Sequence, residues 1–166
     1  MMNTNEKTPY PAFDRLARLV VQSGVPFVMH EHTPSRTMAD AQEQLSFDVA
    51  RIVKTVAFRT RGGALVLAAL RGIAMVDYPR LAAYVGVNRR DLTPLAPEEV
   101  RELLGIEPGS VSPLPLAPDA ALFIDVDVQT ILPTLYCGIG RPDRTLEIGQ
   151  DDLIRVAGGQ IGSFSK

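Results

Sequence analysis

Sulfur and imidazole are scarce in this chain, whose 166 residues hold one cysteine, Cys137, and two histidines, His30 and His32. One thiol forms no internal disulfide, and two imidazoles with one thiol fall short of a zinc cage, so no metal or other cofactor is expected and stability must come from an apolar core. Long apolar runs are missing too. The longest, Ala64 to Leu70, is far below the roughly 20 residues of a membrane span, and the N-terminal stretch carries no apolar signal segment. A reducing cytoplasm is the expected setting, with no membrane contact. Neither charge sign dominates: 17 Lys and Arg stand against 19 Asp and Glu, a formal net charge of -2. That balance excludes coating nucleic acid by bulk charge and confines any RNA contact to a local patch, for which Arg59, Arg61, Arg71 and the pair Arg89-Arg90 are candidates. No phosphate-binding P-loop, dinucleotide G-x-G-x-x-G after a strand, or G-x-S-x-G nucleophile elbow is present.

What is present fits one domain with one core: an apolar fraction of 46% and a length near that of a typical domain. Residues 1–12 read as a flexible N-terminal segment and 13–166 as the domain. Phe13, Leu16, Ala17, Val20 and Val21 recur at helical spacing before Gly24, with Asp14 and Arg18 expected to pair on the other side. Val25 to Glu31 reads as a strand and Thr37 to Leu45 as a helix. Ile52 to Thr60 and Ala64 to Leu70 read as a hairpin, its second strand apolar throughout and hence buried on both faces. Tyr78 to Val85, Pro97 to Leu104 and Asp151 to Ala157 read as helices, and Ala120 to Asp127, Thr134 to Cys137 and Thr145 to Ile148 as strands. Between them, Pro108 to Pro118 carries four prolines in eleven residues and must be loop. This irregular interleaving predicts an α/β (α+β) fold: a curled, mixed, mostly antiparallel sheet flanked by helices.

Candidate chemistry is dispersed. Lys54 shares a strand face with Ile52, Val56 and Phe58. Such a lysine either snorkels to solvent or lines a cleft and meets an anion. Gly109-Ser-Val-Ser-Pro113 combines a glycine that permits unusual backbone angles with a proline that stiffens the exit, and can present N–H groups to an oxyanion or serve as a connector. Gly138-Ile-Gly140 is either a second ligand-approaching turn or a tight hairpin. His30 and His32 share one strand face but lack a third metal ligand, Asp125 and Asp127 read as a solvated edge or an arginine pair, and Cys137 reads as an inert packed thiol.

In order and spacing these segments resemble the YbaK/ProX family of aminoacyl-tRNA deacylases, relatives of the editing domain of bacterial prolyl-tRNA synthetases. The likeness runs from about Phe13 to Ala157. It is carried by the His-x-x-Pro stretch around His30-Glu-His-Thr-Pro34, by Ile52-Val-Lys-Thr-Val56, by Gly109-Ser-Val-Ser-Pro113, by Phe123-Ile-Asp125, by Tyr136-Cys-Gly-Ile-Gly140 and by Asp152-Leu153. The resemblance implies hydrolysis of a small aminoacyl ester on the terminal adenosine of a tRNA, related to tRNA(Pro). Lys54, Gly109 and Gly138 would form the catalytic group, and His30, Thr33, Ser112, Pro113 and Gly140 would contact substrate. It further implies the acceptor end of aminoacyl-tRNA as partner, with prolyl-tRNA synthetase or an elongation factor as recruiter. The alternative is a non-catalytic module that binds aminoacyl-tRNA beside a synthetase. Three positions depart from the family pattern: Gly138 stands where relatives carry a polar side chain, His30 where they carry tyrosine, and Pro115 where they carry glycine.

Overall fold

A computed structural model describes residues 9–34 and 47–166. The first helix, α1 (Pro11–Ser23), has proline in its first turn and ends at Gly24 in the left-handed conformation, φ 75°. It begins at Pro11, and Ala12, Leu16 and Val20 form its buried stripe. Asp14 and Arg18 do not form the expected ion pair, and the Asp14 charge instead helps raise the pKa of Arg141. The helix expected at Thr37 to Leu45 lies outside the described residues.

The eight described strands are β1 (Phe27–Glu31), β2 (Val53–Thr60), β3 (Leu65–Arg71), β4 (Leu92–Pro94), β5 (Ala121–Asp125), β6 (Leu135–Cys137), β7 (Arg144–Ile148) and β8 (Gln160–Gly162). They form two sheets rather than one: a small antiparallel sheet in the order β1-β7-β6 and a larger mixed sheet in the order β4-β2-β3-β5-β8. Among the described residues a parallel bridge, Ile52 to Tyr136, ties the two. The β2–β3 hairpin forms as expected, with Lys54 opposite Leu70 and Phe58 opposite Val66, and β5 and β8 then add in parallel. The remaining helices are α2 (Tyr78–Val85), capped by the Asp77 side chain, the short α3 (Pro97–Glu99), which continues as a π-helical turn over Val100–Leu104, and α4 (Gln150–Ala157).

β3 is buried on both faces, as its uniform apolarity predicts, because each face of the larger sheet supports its own core. Val53, Ala57, Leu67, Ala69 and Ile124 face a large core shared with α1, α4 and the small sheet. Phe58, Val66, Ala68, Leu70 and Phe123 face a smaller core closed by α2 and Phe164.

The run expected to be a strand through Asp127 stops at Asp125, which caps a 3₁₀ turn over Val126–Thr130 by accepting a hydrogen bond from the Asp127 N–H. Asp125 is no solvated edge residue: it is fully buried and also accepts from the N–H groups of Phe164 and Ser165, at 2.8 and 3.0 Å, and from the Ser165 hydroxyl. Phe164 and Ser165 are thereby pinned. Lys166 then exchanges two backbone hydrogen bonds with Met75, in the loop after β3.

Candidate functional site

A cavity of about 320 Å³ opens where the start of β2, the Gly109–Val111 segment and the turn after β6 converge. Among the described residues its walls comprise Ile52 to Thr55 of β2, Gly72 beyond β3, Gly109, Ser110 and Val111 of the proline-rich loop, and Tyr136, Cys137 and Gly138. Arg141, Pro142, Arg144 and Thr145 line it from the β6–β7 turn and β7, and Phe47 completes the wall. Chain topology dictates this convergence. β4 covers the outer edge of β2 only from Phe58 to Thr60 and Tyr136 bridges the same edge at Ile52, so the β2 backbone is open on that side only around Thr55. Ladder alternation fixes which groups face out: Ile52 C=O and Thr60 N–H bond toward β3, while Ala57 C=O accepts from Leu95 on the other edge. Odd-numbered Val53 and Thr55 therefore direct backbone groups toward the cavity.

Lys54, Gly109 and Gly138, expected to act together, do line one cavity. Lys54 sits on the face of β2 opposite Thr55, and its ammonium donates to the Ala74 carbonyl in the loop after β3. Partial burial holds its pKa below the ordinary lysine value. Gly109 adopts φ 88°, a region that a β-carbon disfavours. Gly138 is a glycine for a different reason: a β-carbon there would lie 2.6 Å from the Val111 carbonyl oxygen, so the two loops meet only with a hydrogen at that position. The Gly140 N–H donates to the Ser110 carbonyl at 3.0 Å and locks the same contact.

The other expected contacts do not line the cavity among the described residues. Ser112 is fully buried beneath the loop, its hydroxyl accepting from the Leu114 N–H, and buried Pro113 follows it. Gly140 packs against the backbone of α1 at Phe13. Thr33 is exposed beyond β1, its carbonyl bonded to the His32 ring. His30 lies one layer behind: its Nε2 meets Glu147 Oε1 at 2.8 Å, and its ring stands edge-on to Phe47 and Tyr136.

Several site residues escaped the sequence reading. Phe47 stacks on Tyr136 with centroids 4.0 Å apart, and the Arg51 guanidinium lies 4.7 Å from the Tyr136 ring. Glu147 gathers Thr134, His30 and Arg51, and those partners, Thr134 first, hold its carboxyl below the usual range. Arg141 and Arg144 both pair with Asp143. Of the arginines expected as candidates for RNA contact, Arg59 pairs with Glu99, Arg71 bonds Ala50 and Thr130, Arg89 covers Tyr78, and none of the five lines the cavity. The Cys137 thiol is buried and pushed up to about 12, so at neutral pH it is a protonated, inert part of the wall. Two lining residues, Thr55 and Ser110, carry hydroxyls, Thr55 Oγ1 and Ser110 Oγ, that are buried without any hydrogen-bond partner. No group of three metal-ligating side chains occurs among the described residues, and none of their helices is long and apolar enough to cross a membrane.

A mixed α/β domain of two sheets, with a cleft between a strand edge and two glycine-bearing loops, defines the class. Within it, residues 32–156 match the aminoacyl-tRNA editing domain family, and the chain belongs to that family. It is 34% identical over 134 residues to the uncharacterized protein YwhH of Bacillus subtilis (strain 168), spanning 81% of this chain and 79% of that one. Two solved structures share the fold. One is the hypothetical protein APE2540, with TM-score 0.82 and 23% identity over 92% of this chain and 99% of the other. The second is a proposed trans-editing enzyme for prolyl tRNA synthetase, with TM-score 0.76 and 24% identity over 94% and 98% of the two chains.

Proposed function

We propose that this protein hydrolyses the ester of mischarged aminoacyl-tRNA in trans, removing a small amino acid from the terminal adenosine of a tRNA related to tRNA(Pro). The observation that carries the reading is the convergence of Lys54, Gly109 and Gly138, from three separate segments, on one cavity sized for a small ligand. Such an ester is already labile, so catalysis needs charge stabilisation at the carbonyl oxygen and a held water rather than a dedicated strong base. Lys54 exchanges its Ala74 carbonyl partner for the anionic backbone of the acceptor end, and loop N–H groups near Gly109 and Gly138 face the carbonyl and the water. The 2′-hydroxyl of the terminal adenosine helps activate that water. Exclusion of the cognate amino acid by size accounts for selectivity. The site of action is the cytoplasm, with recruitment by prolyl-tRNA synthetase or an elongation factor.

A panel of tRNAs charged with Ala, Cys, Ser or Thr tests the reading: at least one is deacylated well above its spontaneous rate. If none is, the proposal fails. The glycine at 138, where related deacylases carry a polar side chain, favours the second reading, a module that binds aminoacyl-tRNA and delivers it to a synthetase. Tight binding of charged tRNA without turnover on the same panel is its signature.

A further inference from the structure

We propose that Thr55 Oγ1 and Ser110 Oγ, with the open edge of β2, form a site for the free α-ammonium group of the aminoacyl ester. The pocket then accepts α-amino esters and rejects N-acylated ones such as peptidyl esters. The assignment rests on the hydrolytic reading above for its ester and extends it to the substrate's head group.

Burying a hydroxyl with no partner is unfavourable, and native structures leave few such groups. Among the described residues three side-chain polar atoms are in that state, and two of them belong to residues that line this one cavity. Ser110 is 2% exposed, held between the Gly138 contact and the hydrogen bond its carbonyl accepts from Gly140. Thr55 projects from β2 on the face away from Lys54. The hydroxyls thus belong to opposite walls, one on the strand and one on the loop, and both are able to accept a hydrogen bond.

An ammonium brings three donors and no acceptor. Thr55 Oγ1, Ser110 Oγ and the Thr55 carbonyl on the open stretch of the β2 edge supply three acceptors. Electrostatics sets the polarity of the bound ester. The Lys54 ammonium lies across the strand at the Ala74 carbonyl, so β2 separates it from the substrate's own cation. An anionic phosphodiester is drawn to the Lys54 face and the α-ammonium to the Thr55 face. The neutral Cys137 thiol adds no competing charge. Acylation of the amine removes its charge and two of its three donors and adds bulk, leaving the hydroxyls unpaired again.

The test compares one tRNA charged with a small amino acid against the same tRNA after N-acetylation, in single-turnover hydrolysis by the full chain, by Thr55→Val and by Ser110→Ala. Measured against each ester's own spontaneous rate, the parent accelerates the free amine roughly ten- to a hundredfold more, the usual worth of a hydrogen bond to a charged group. Each variant loses most of that advantage on the free amine, hydrolyses the N-acetylated ester at the parental rate, and melts at the parental temperature or above, since an unpaired buried hydroxyl has been removed. Equal acceleration of both esters by the parent overturns the site. So does an equal loss on both esters in the variants, which would make the hydroxyls holders of the water. Calorimetry with a non-hydrolysable amide analogue of aminoacyl-adenosine, free and N-acetylated, separates the two levels. Tighter binding of the free amine without any ester hydrolysis leaves the α-ammonium site standing and removes the hydrolytic reading. Equal binding, or none, overturns the site.

Discussion

The two faces of β2 make an instructive contrast. Val53, Thr55 and Ala57 turn toward the larger core, where two sheets and two helices meet, while Lys54, Val56 and Phe58 turn toward the smaller core under α2 and Phe164. One strand therefore carries two environments a residue apart, and the cavity wraps the edge where they join. A cation and a pair of unpaired hydroxyls are kept on opposite sides of the same backbone without a long loop to separate them.

The sharpest way to break the contrast is Lys54→Ala. Hydrolysis of charged tRNA is expected to fall roughly a hundredfold or more, the scale seen when one electrostatic contact to a reacting centre is removed. The melting temperature should move little, because the variant relieves a partly desolvated ammonium while losing one hydrogen bond to Ala74. Parental rates on every substrate would reduce Lys54 to a strand residue reaching for a carbonyl.

Asp125→Ala attacks the smaller core alone. Removing a fully buried carboxylate that serves Asp127, Phe164 and Ser165 is expected to cost about 2 to 4 kcal/mol in denaturant unfolding. Amide exchange should rise first at Phe164, Ser165 and Met75. Faster exchange in β6 and β7 instead would mean that the two cores do not behave as separate units.

The smallest effect concerns the other side. Glu147 is held below its ordinary pKa by Thr134, His30 and Arg51. A depressed carboxyl contributes stability that is present above its unfolded value, near 4.5, and is lost as pH falls through the folded value. Below that window folded and unfolded chains are protonated alike. Melting curves between about pH 6 and pH 3 should show the parent falling toward Glu147→Gln, with a gap of about 1 kcal/mol at the upper end. A constant gap across the range would show that the carboxylate's charge is not what counts.

Sequence reading recovers the elements whose cause is local. α2 is marked by the Asp77 cap with Pro79 in its first turn, and the β2–β3 hairpin by its glycines and uniform apolarity. It does not recover what depends on a partner far along the chain. β4 and β8 are three residues each and exist because β2 and β5 offer them edges. Asp125 reads as an exposed strand residue because nothing nearby announces that Phe164 and Ser165 will return to it. The same rule governs the site. Lys54 stands out by strand phase alone, whereas the Thr55 and Ser110 hydroxyls look ordinary until two distant segments enclose them. Ser112 and Pro113 belong to the same short motif as Gly109, yet they turn inward to shape the loop, and a linear motif cannot tell its lining residues from its supports.

The pinning of residues 164–166 reaches beyond the smaller core. Lys166 grips Met75, and Met75 follows the residue whose carbonyl receives the Lys54 ammonium. Ser165 and Lys166 thus act as a splint on the loop whose carbonyl receives the Lys54 ammonium, so a change that loosens this segment is felt at Lys54, 112 positions upstream of Lys166 in the sequence.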